Sequence, residues 1–229
     1  MRPPQCRVRS LLRHSGSDGC DREQQVAAGI DQAVAAYGGI DVLESNAGVL
    51  KAGATDTLEL KDFLFVTNIN YVGYFICAKH AFRLMKRQHE IQPDYWMDII
   101  QTNSKSGLTG SNKNCSYAGS KFGPIGLTQS FAMEMVAYRI KVNSVCPGNY
   151  LCGPLWSDPE NGLFAQYLRT NKIPGAKTAD DLVRHYNGKV PMGRSCEAED
   201  VAKAIHYIIE QDYETGQTVP VTGGQLMLR

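Results

Sequence analysis

No run of apolar residues in this sequence approaches the roughly 20 needed to cross a bilayer core, so no membrane-spanning helix is expected. The N-terminus lacks the long apolar stretch of a secretory leader. Excess charge of one sign is missing too. Lys and Arg number 24 against 23 Asp and Glu, for a net charge of +1. That balance gives no electrostatic footprint for nucleic acid. The basic residues Arg2, Arg7, Arg9 and Arg13 form a short cluster, read as a solvated tail. The seven cysteines are odd in number, scattered, and never spaced C-x-x-C. No His/Cys grouping has the spacing of a zinc site, so no metal is expected. Reduced thiols in a cytoplasmic protein are the expectation. The 229 residues are 43% hydrophobic and 21% charged, which suits one α/β domain with a substantial core.

Within that chain, two kinds of periodicity alternate. Residues 22–38 repeat Val26, Ile30, Val34 and Ala35 at helical spacing and stop at Gly38 and Gly39. Ile40 to Leu43 reads as a short buried strand. Residues 59–88 read as helical with a break near Asn70 to Gly73, and 95–102 as a second strand. A long helix is predicted over 116–138, a third strand over 140–148, a helix over 201–211 and a last strand over 216–224. Strands alternating with helices predict a mostly parallel, doubly wound sheet covered on both faces. Residues 149–198 differ: they hold Pro154, Pro159, Pro174 and Pro191, Trp156 and no strand signal. A connection of that length is expected to be a lid or binding loop.

The stretch "NSKSGLTGSNKNCSYAGSK" (103–121) joins chemistry to this frame. Ser104 follows the second predicted strand. Tyr117 and Lys121 open the next helix at i,i+4, which places both on one face. A phenol has a pKa of about 10 and is a poor base near neutrality. A nearby ammonium favours its ionised form. A serine hydroxyl can hold a substrate oxygen within reach. The set suits proton transfer to or from an alcohol or carbonyl oxygen. Asn46-Ala47-Gly48 and Pro147-Gly148 end the first and third strands, where open α/β sheets bind ligands.

With these motifs in order, the sequence resembles the short-chain dehydrogenase/reductase family. The carriers are "SNAG" (45–48), "NYVG" (70–73), Ser104 with "YAGSK" (117–121), and "CPG" (146–148). The likeness runs from about Arg22 to the C-terminus. Within the family it is strongest to the branch acting on sorbitol 6-phosphate, through "NYVGYFICAK", "NSKSG", "SKFGPIGLTQS", "KVPMGRSCEAEDV" and "VTGGQLML". The resemblance implies a Rossmann-like fold and an enzyme interconverting a sugar-alcohol phosphate and a ketose phosphate. It implies NAD as cofactor, with NADP left open. Tyr117 would be the general acid/base, Lys121 its electrostatic partner and a holder of the nicotinamide ribose, and Ser104 the residue orienting the substrate oxygen. Asn70 would help hold a relay water. Asn46, Ala47 and Gly48 would line the adenosine side, and Pro147 and Gly148 the nicotinamide. Lys105 would touch the substrate phosphate. A homodimer or homotetramer is implied, paired through the helix 116–138.

The family's opening G-x-x-x-G-x-G turn, which holds the pyrophosphate at a helix N-terminus, has no match in this sequence. Residues 1–21 are expected to be an atypical segment, and 22–229 a catalytic domain lacking the first strands of its sheet, with the lid at 149–198. Pro124 is expected to kink the long helix and to shift Lys121 slightly. Two rival expectations follow: a catalytically silent chain kept as an oligomerisation or binding module, or a dehydrogenase of another polyol.

Overall fold

The structure, a computed structural model, describes residues 19–227. The atypical segment 1–21 therefore lies outside the described residues, apart from its last three, which open the first helix. Four parallel strands form one sheet in the order β1-β2-β3-β4: Val42–Ser45, Met97–Thr102, Ile140–Pro147 and Thr218–Val221. Every pairing is parallel, with Ile99 opposite Val142 in the register of β2 and β3. β2 and β3 are buried over nearly their whole length, because helices cover both of their faces. Alternation sorts their side chains. Ile99 and Val142 face a core shared with α1 (Gly19–Tyr37), α3 (Gly73–Ile91) and α4 (Cys115–Met135), whereas Ile100 and Val145 face α8 (Ala198–Glu210).

The departures from the expected elements have local causes. β1 begins at Val42, not Ile40. Ile40 is buried, but its backbone pairs with a side chain: its N–H donates to Gln88 Oε1 and its carbonyl accepts from Gln88 Nε2, both at 3.0 Å. A glutamine from α3 thus stands in for a neighbouring strand. Among the described residues β1 is one edge of the four-stranded sheet and β4 the other, where Pro220 forfeits a ladder donor at little cost. The predicted break near Asn70 is a π turn over Asn68–Val72, between α2 (Leu60–Thr67) and α3. Such a widened turn pushes one residue out of the regular ladder and is common at functional sites. α4 runs through the buried Pro124 without interruption. Asn103 Nδ2 donates to the Lys121 carbonyl at 3.0 Å, anchoring the helix next to the proline.

Residues 149–198 fold into three short helices, α5 (Pro154–Ser157), α6 (Leu163–Arg169) and α7 (Ala179–Asn187). They carry a small core of their own around Leu151, Trp156, Leu163, Tyr167 and Leu182. The Trp156 ring packs against Tyr186 at 4.9 Å, Phe164 at 5.4 Å and Tyr167 at 5.8 Å between centroids. Leu50 and Ala52, from the loop after β1, pack on the same cluster, so the segment rests on the side of the sheet where the strands end. At the opposite end, Lys141 is buried beside Asp98 at 3.1 Å. Its ammonium also donates to the carbonyls of Ile208, Ile209 and Gln211 at the end of α8. A cation satisfied by four oxygens there ties two central strands to the last helix.

Candidate active site

The parallel sheet delivers Ser104, Tyr117 and Lys121 to one edge, as their spacing predicts. Ser104 is extended (φ −168°, ψ 156°) just past β2, and its Oγ accepts from Ser106 N–H at 3.1 Å, opening a short 3-10 turn over Lys105–Gly107. Gly107 must be glycine: a Cβ there would sit 2.7 Å from both Asn103 Oδ1 and the Lys121 carbonyl. That close approach sets Ser104 against the first turn of α4. The Ser104 hydroxyl lies beside the Tyr117 phenol and favours its ionised form. Burial outweighs it, and the phenol stands above the ordinary tyrosine value. The expected net lowering is therefore not found. Lys121 Nζ is 5.8 Å from the Tyr117 ring centroid and donates instead to the Thr102 carbonyl at 3.2 Å.

Lys121 is 3% exposed. Burial drives its pKa down from 10.5 to about 8, against a smaller upward pull from the Cys146 thiol. Cys146 is itself pushed up to about 11 by burial. This thiol, lying between Ser104, Ser144 and Lys121, is a neighbour that motif spacing did not single out.

Asn70 is buried in the π turn, and its amide is occupied. Oδ1 accepts from Val49 N–H at 2.8 Å, and Nδ2 donates to the Val49 carbonyl and to Ser120 Oγ, both at 2.9 Å. The side chain clamps the chain just past Asn46-Ala47-Gly48 to α4. A Cβ on Gly48 would lie 3.6 Å from Asn70 Oδ1 and from Lys121 Nζ, so this turn borders the lysine. Asn46, Ala47 and Gly48 themselves are exposed. Pro147 ends β3 opposite Val221. A Cβ on Gly148 would come within 3.3 Å of Thr222 Cα, so its missing side chain lets the backbone after β4 approach closely. Lys105 is half-buried directly after Ser104. Tyr167 belongs to the small core of residues 149–198. It lies close enough to the Tyr117 phenol to interact with it electrostatically.

The site can be tested against a nicotinamide cofactor. Lys121 has one carbonyl acceptor for three N–H bonds, beside a turn with no side chain at Gly48. That arrangement fits a ribose carrying adjacent hydroxyls. The pyrophosphate end has no glycine-rich receiver in the sequence. Among the described residues, no three His, Cys, Asp or Glu side chains gather as metal ligands, and no helix is long and apolar enough to cross a membrane.

The short chain dehydrogenase family matches residues 18–157. The chain is 38% identical over 210 residues to sorbitol-6-phosphate 2-dehydrogenase of Escherichia coli (strain K12), covering 90% of this chain and 75% of that one. Among solved structures, sorbitol-6-phosphate 2-dehydrogenase SrlD from Erwinia amylovora superposes with a TM-score of 0.81 at 36% identity, covering 92% of this chain and 78% of the other. NAD+-bound xylitol dehydrogenase superposes with a TM-score of 0.77 at 26% identity, over 88% and 75%.

A buried ammonium with one partner costs stability, and its removal reads out that cost. Lys121→Met should raise the melting temperature at pH 7 by several degrees, since the shift corresponds to a few kcal/mol. The sign follows from proton linkage. Below pH 8 both the folded and the unfolded chain hold the lysine proton, and the full cost is present. Between about 8 and 10.5 only the unfolded chain keeps it, so wild-type stability gains on the variant as pH rises. Melting curves of both proteins from pH 6 to 10.5 check this. A gap that does not narrow above pH 8 contradicts it.

Proposed function

The chain belongs to the short-chain dehydrogenase family of oxidoreductases, and from that premise we propose that it interconverts a sugar-alcohol phosphate resembling sorbitol 6-phosphate with the corresponding ketose phosphate, using NAD. The observation that carries the reading is the grouping of Ser104, Tyr117 and Lys121 at the strand ends under a separately folded aromatic segment. When bound, the nicotinamide supplies or accepts the hydride. The rest is proton handling by this chain. Ser104 Oγ holds the substrate oxygen next to the phenol. Tyr117 gives its proton to that oxygen in the reducing direction and takes it back in the oxidising one. Lys121 provides the positive charge that favours the phenolate once a proton has left. Asn70 fixes the turn bordering Lys121 and serves a relay water through its position in the π turn. Asn46, Ala47 and Gly48 line the adenosine side, Pro147 and Gly148 the nicotinamide side, and Lys105 reaches toward the substrate phosphate. The segment 149–198 is the lid.

A buried phenol above its ordinary pKa is present as an acid near neutrality, so reduction should proceed there while oxidation quickens as pH rises. Tyr117→Phe should abolish at least nine-tenths of turnover in both directions with folding intact, because the ring is kept and only the hydroxyl is lost. The assay is turnover of sorbitol 6-phosphate at millimolar NAD, with circular dichroism as the folding control. Retention of more than a tenth of the activity would sink the assignment.

The absence of a glycine-rich turn favours a second reading, a chain that keeps the catalytic set but binds cofactor poorly and acts as an oligomerisation or binding module. NADH titrated into the 229-residue chain, followed by nicotinamide fluorescence, should give a Kd on the order of 1 mM, about −4 kcal/mol. Micromolar binding with turnover rejects the second reading; no binding and no turnover rejects the first.

Assembly as a homodimer or homotetramer is part of the proposal. α4 carries Lys121 and Glu134 as its sole charged residues and leaves Phe122 47% and Met133 83% exposed, while Leu64 on α2 is 46% exposed. Light scattering at micromolar concentration should report a dimer or tetramer, and a stable monomer contradicts it.

A further inference from the structure

Four lysines converge beside Ser104 and Tyr117 with no ion-pair partner among the described residues. Two come from the body of the fold. Lys105 follows Ser104, and Lys113 sits in the turn before α4 with a left-handed φ of 53°, its carbonyl accepting from Gly53 N–H. Two come from the segment 149–198. Lys172 stands over the Tyr167 ring at 4.1 Å and Lys189 over the Tyr186 ring at 5.6 Å. Those two rings are 6.2 Å apart, and Tyr167 interacts with the Tyr117 phenol. The two tyrosine faces therefore hold both ammonium groups on the catalytic side of the lid.

These lysines sense one another. Burial lowers the pKa of Lys172, and repulsion from Lys113, Lys189 and Lys105 lowers it further. Lys105 is lowered by burial and then by Lys189. No described Asp or Glu makes an ion pair with any of the four, and no side-chain hydrogen bond ends on them. The described ion pairs lie elsewhere. Like charges brought together with no described Asp or Glu paired to them are costly until an anion arrives. An anion also favours the charged form of each, reversing the direction of the shifts.

We propose that Lys105, Lys113, Lys172 and Lys189 form a binding site for a dianionic phosphate monoester, with Lys172 and Lys189 carried by the lid and Lys105 and Lys113 by the core. Which molecule carries the phosphate rests on the function proposed above: the far end of a substrate whose reacting oxygen lies at Ser104 and Tyr117. The geometry supports that source, because Lys172 stands over Tyr167, the ring that interacts with the Tyr117 phenol. A doubly charged group contacting body and lid at once would also hold the lid down, coupling recognition of the phosphate to enclosure of the site.

The test is calorimetric titration of the 229-residue chain with sorbitol 6-phosphate, sorbitol, inorganic phosphate, NADH and NADPH, at low and high salt. Variants are Lys113→Gln, Lys172→Gln and Lys189→Gln, with Lys172→Arg as the charge-conserving control. All three positions are exposed or half-buried, and melting curves check their folding. Sorbitol 6-phosphate should bind at least tenfold tighter than sorbitol, and each Gln variant should cut that advantage about tenfold. The Arg variant should keep most of it, and high salt should erode it. Equal affinity for sorbitol and its phosphate, together with no binding of inorganic phosphate, overturns the site. So does an advantage that survives all three Gln variants. If NADPH binds more tightly than NADH and sorbitol 6-phosphate gains nothing over sorbitol, the cluster serves a cofactor phosphate and the proposal fails. If inorganic phosphate binds and the Gln variants lose it, yet no polyol phosphate is turned over, the anion site stands and the proposed substrate falls. Turnover of sorbitol 6-phosphate with unaltered KM in the Gln variants leaves the substrate standing and removes the site.

Discussion

A lysine ammonium taken almost wholly out of water, with one carbonyl for a partner, is the constraint around which this site is arranged. Lys121 donates to the Thr102 carbonyl and is packed against the Gly48 turn and the Cys146 thiol. Its backbone is fixed separately, through Asn103 on its own carbonyl, and the neighbouring Ser120 is held by Asn70. Gly107 permits the close approach of the Ser104 turn to the same helix. Each of these contacts is more easily explained as a means of holding a charged group in place than as core packing. Hydrophobic side chains at the same positions would fill the space at lower cost.

Lys141 supplies the internal comparison. It is as deeply buried as Lys121, but its ammonium meets Asp98 and three carbonyls, so its charge and its hydrogen bonds are satisfied within the chain. That environment describes a structural cation joining β2, β3 and α8. Lys121 has the same chemistry and the same burial with three-quarters of the partners missing. A buried charge left short of partners marks a group kept for a ligand. The two lysines lie at opposite ends of the same central strands. The sheet thus places its closed ion pair where the strands begin and its open one where they end, as the ligand-binding edge of a parallel sheet requires.

Much of this was legible in the sequence. The periodicity of Val26, Ile30 and Val34 marked α1, and the apolar runs around Ile99 and Val142 marked β2 and β3, because burial on both faces leaves nearly continuous hydrophobic strands. The break near Asn70 was visible as a lapse in helical pattern, though only coordinates identify it as a π turn. Long-range pairings were not legible. Gln88 replacing a strand partner for Ile40 depends on an α-helix passing 48 residues away in sequence. Gly148 answering to Thr222 depends on a strand that arrives much later in the chain. The ionisation of Tyr117 was misjudged for a similar reason. Spacing puts Lys121 on the same helix face, but burial of the phenol, a property of the whole fold, outweighs any neighbour that spacing can reveal.

The segment 149–198 shows why local sequence underdetermines a structure. Trp156 and Tyr167 are core, and Tyr186 packs on them, the tryptophan meeting both tyrosine rings edge to face. The outer faces of two of those rings nevertheless carry Lys172 and Lys189. A ring face attracts a cation through its quadrupole and also limits where the stem can go. The hydrophobic cluster that makes the segment fold is therefore also what aims its charges. In the same way, the exposed turn Asn46-Ala47-Gly48 is anchored from behind by Asn70 while its front is open. The side chains around Lys121 and the lysines over the Tyr167 and Tyr186 rings are held by contacts within this chain. The grouping of Ser104, Tyr117 and Lys121 thus rests on β2, the turn that follows it and α4, and the turn after β1 closes against it through Asn70.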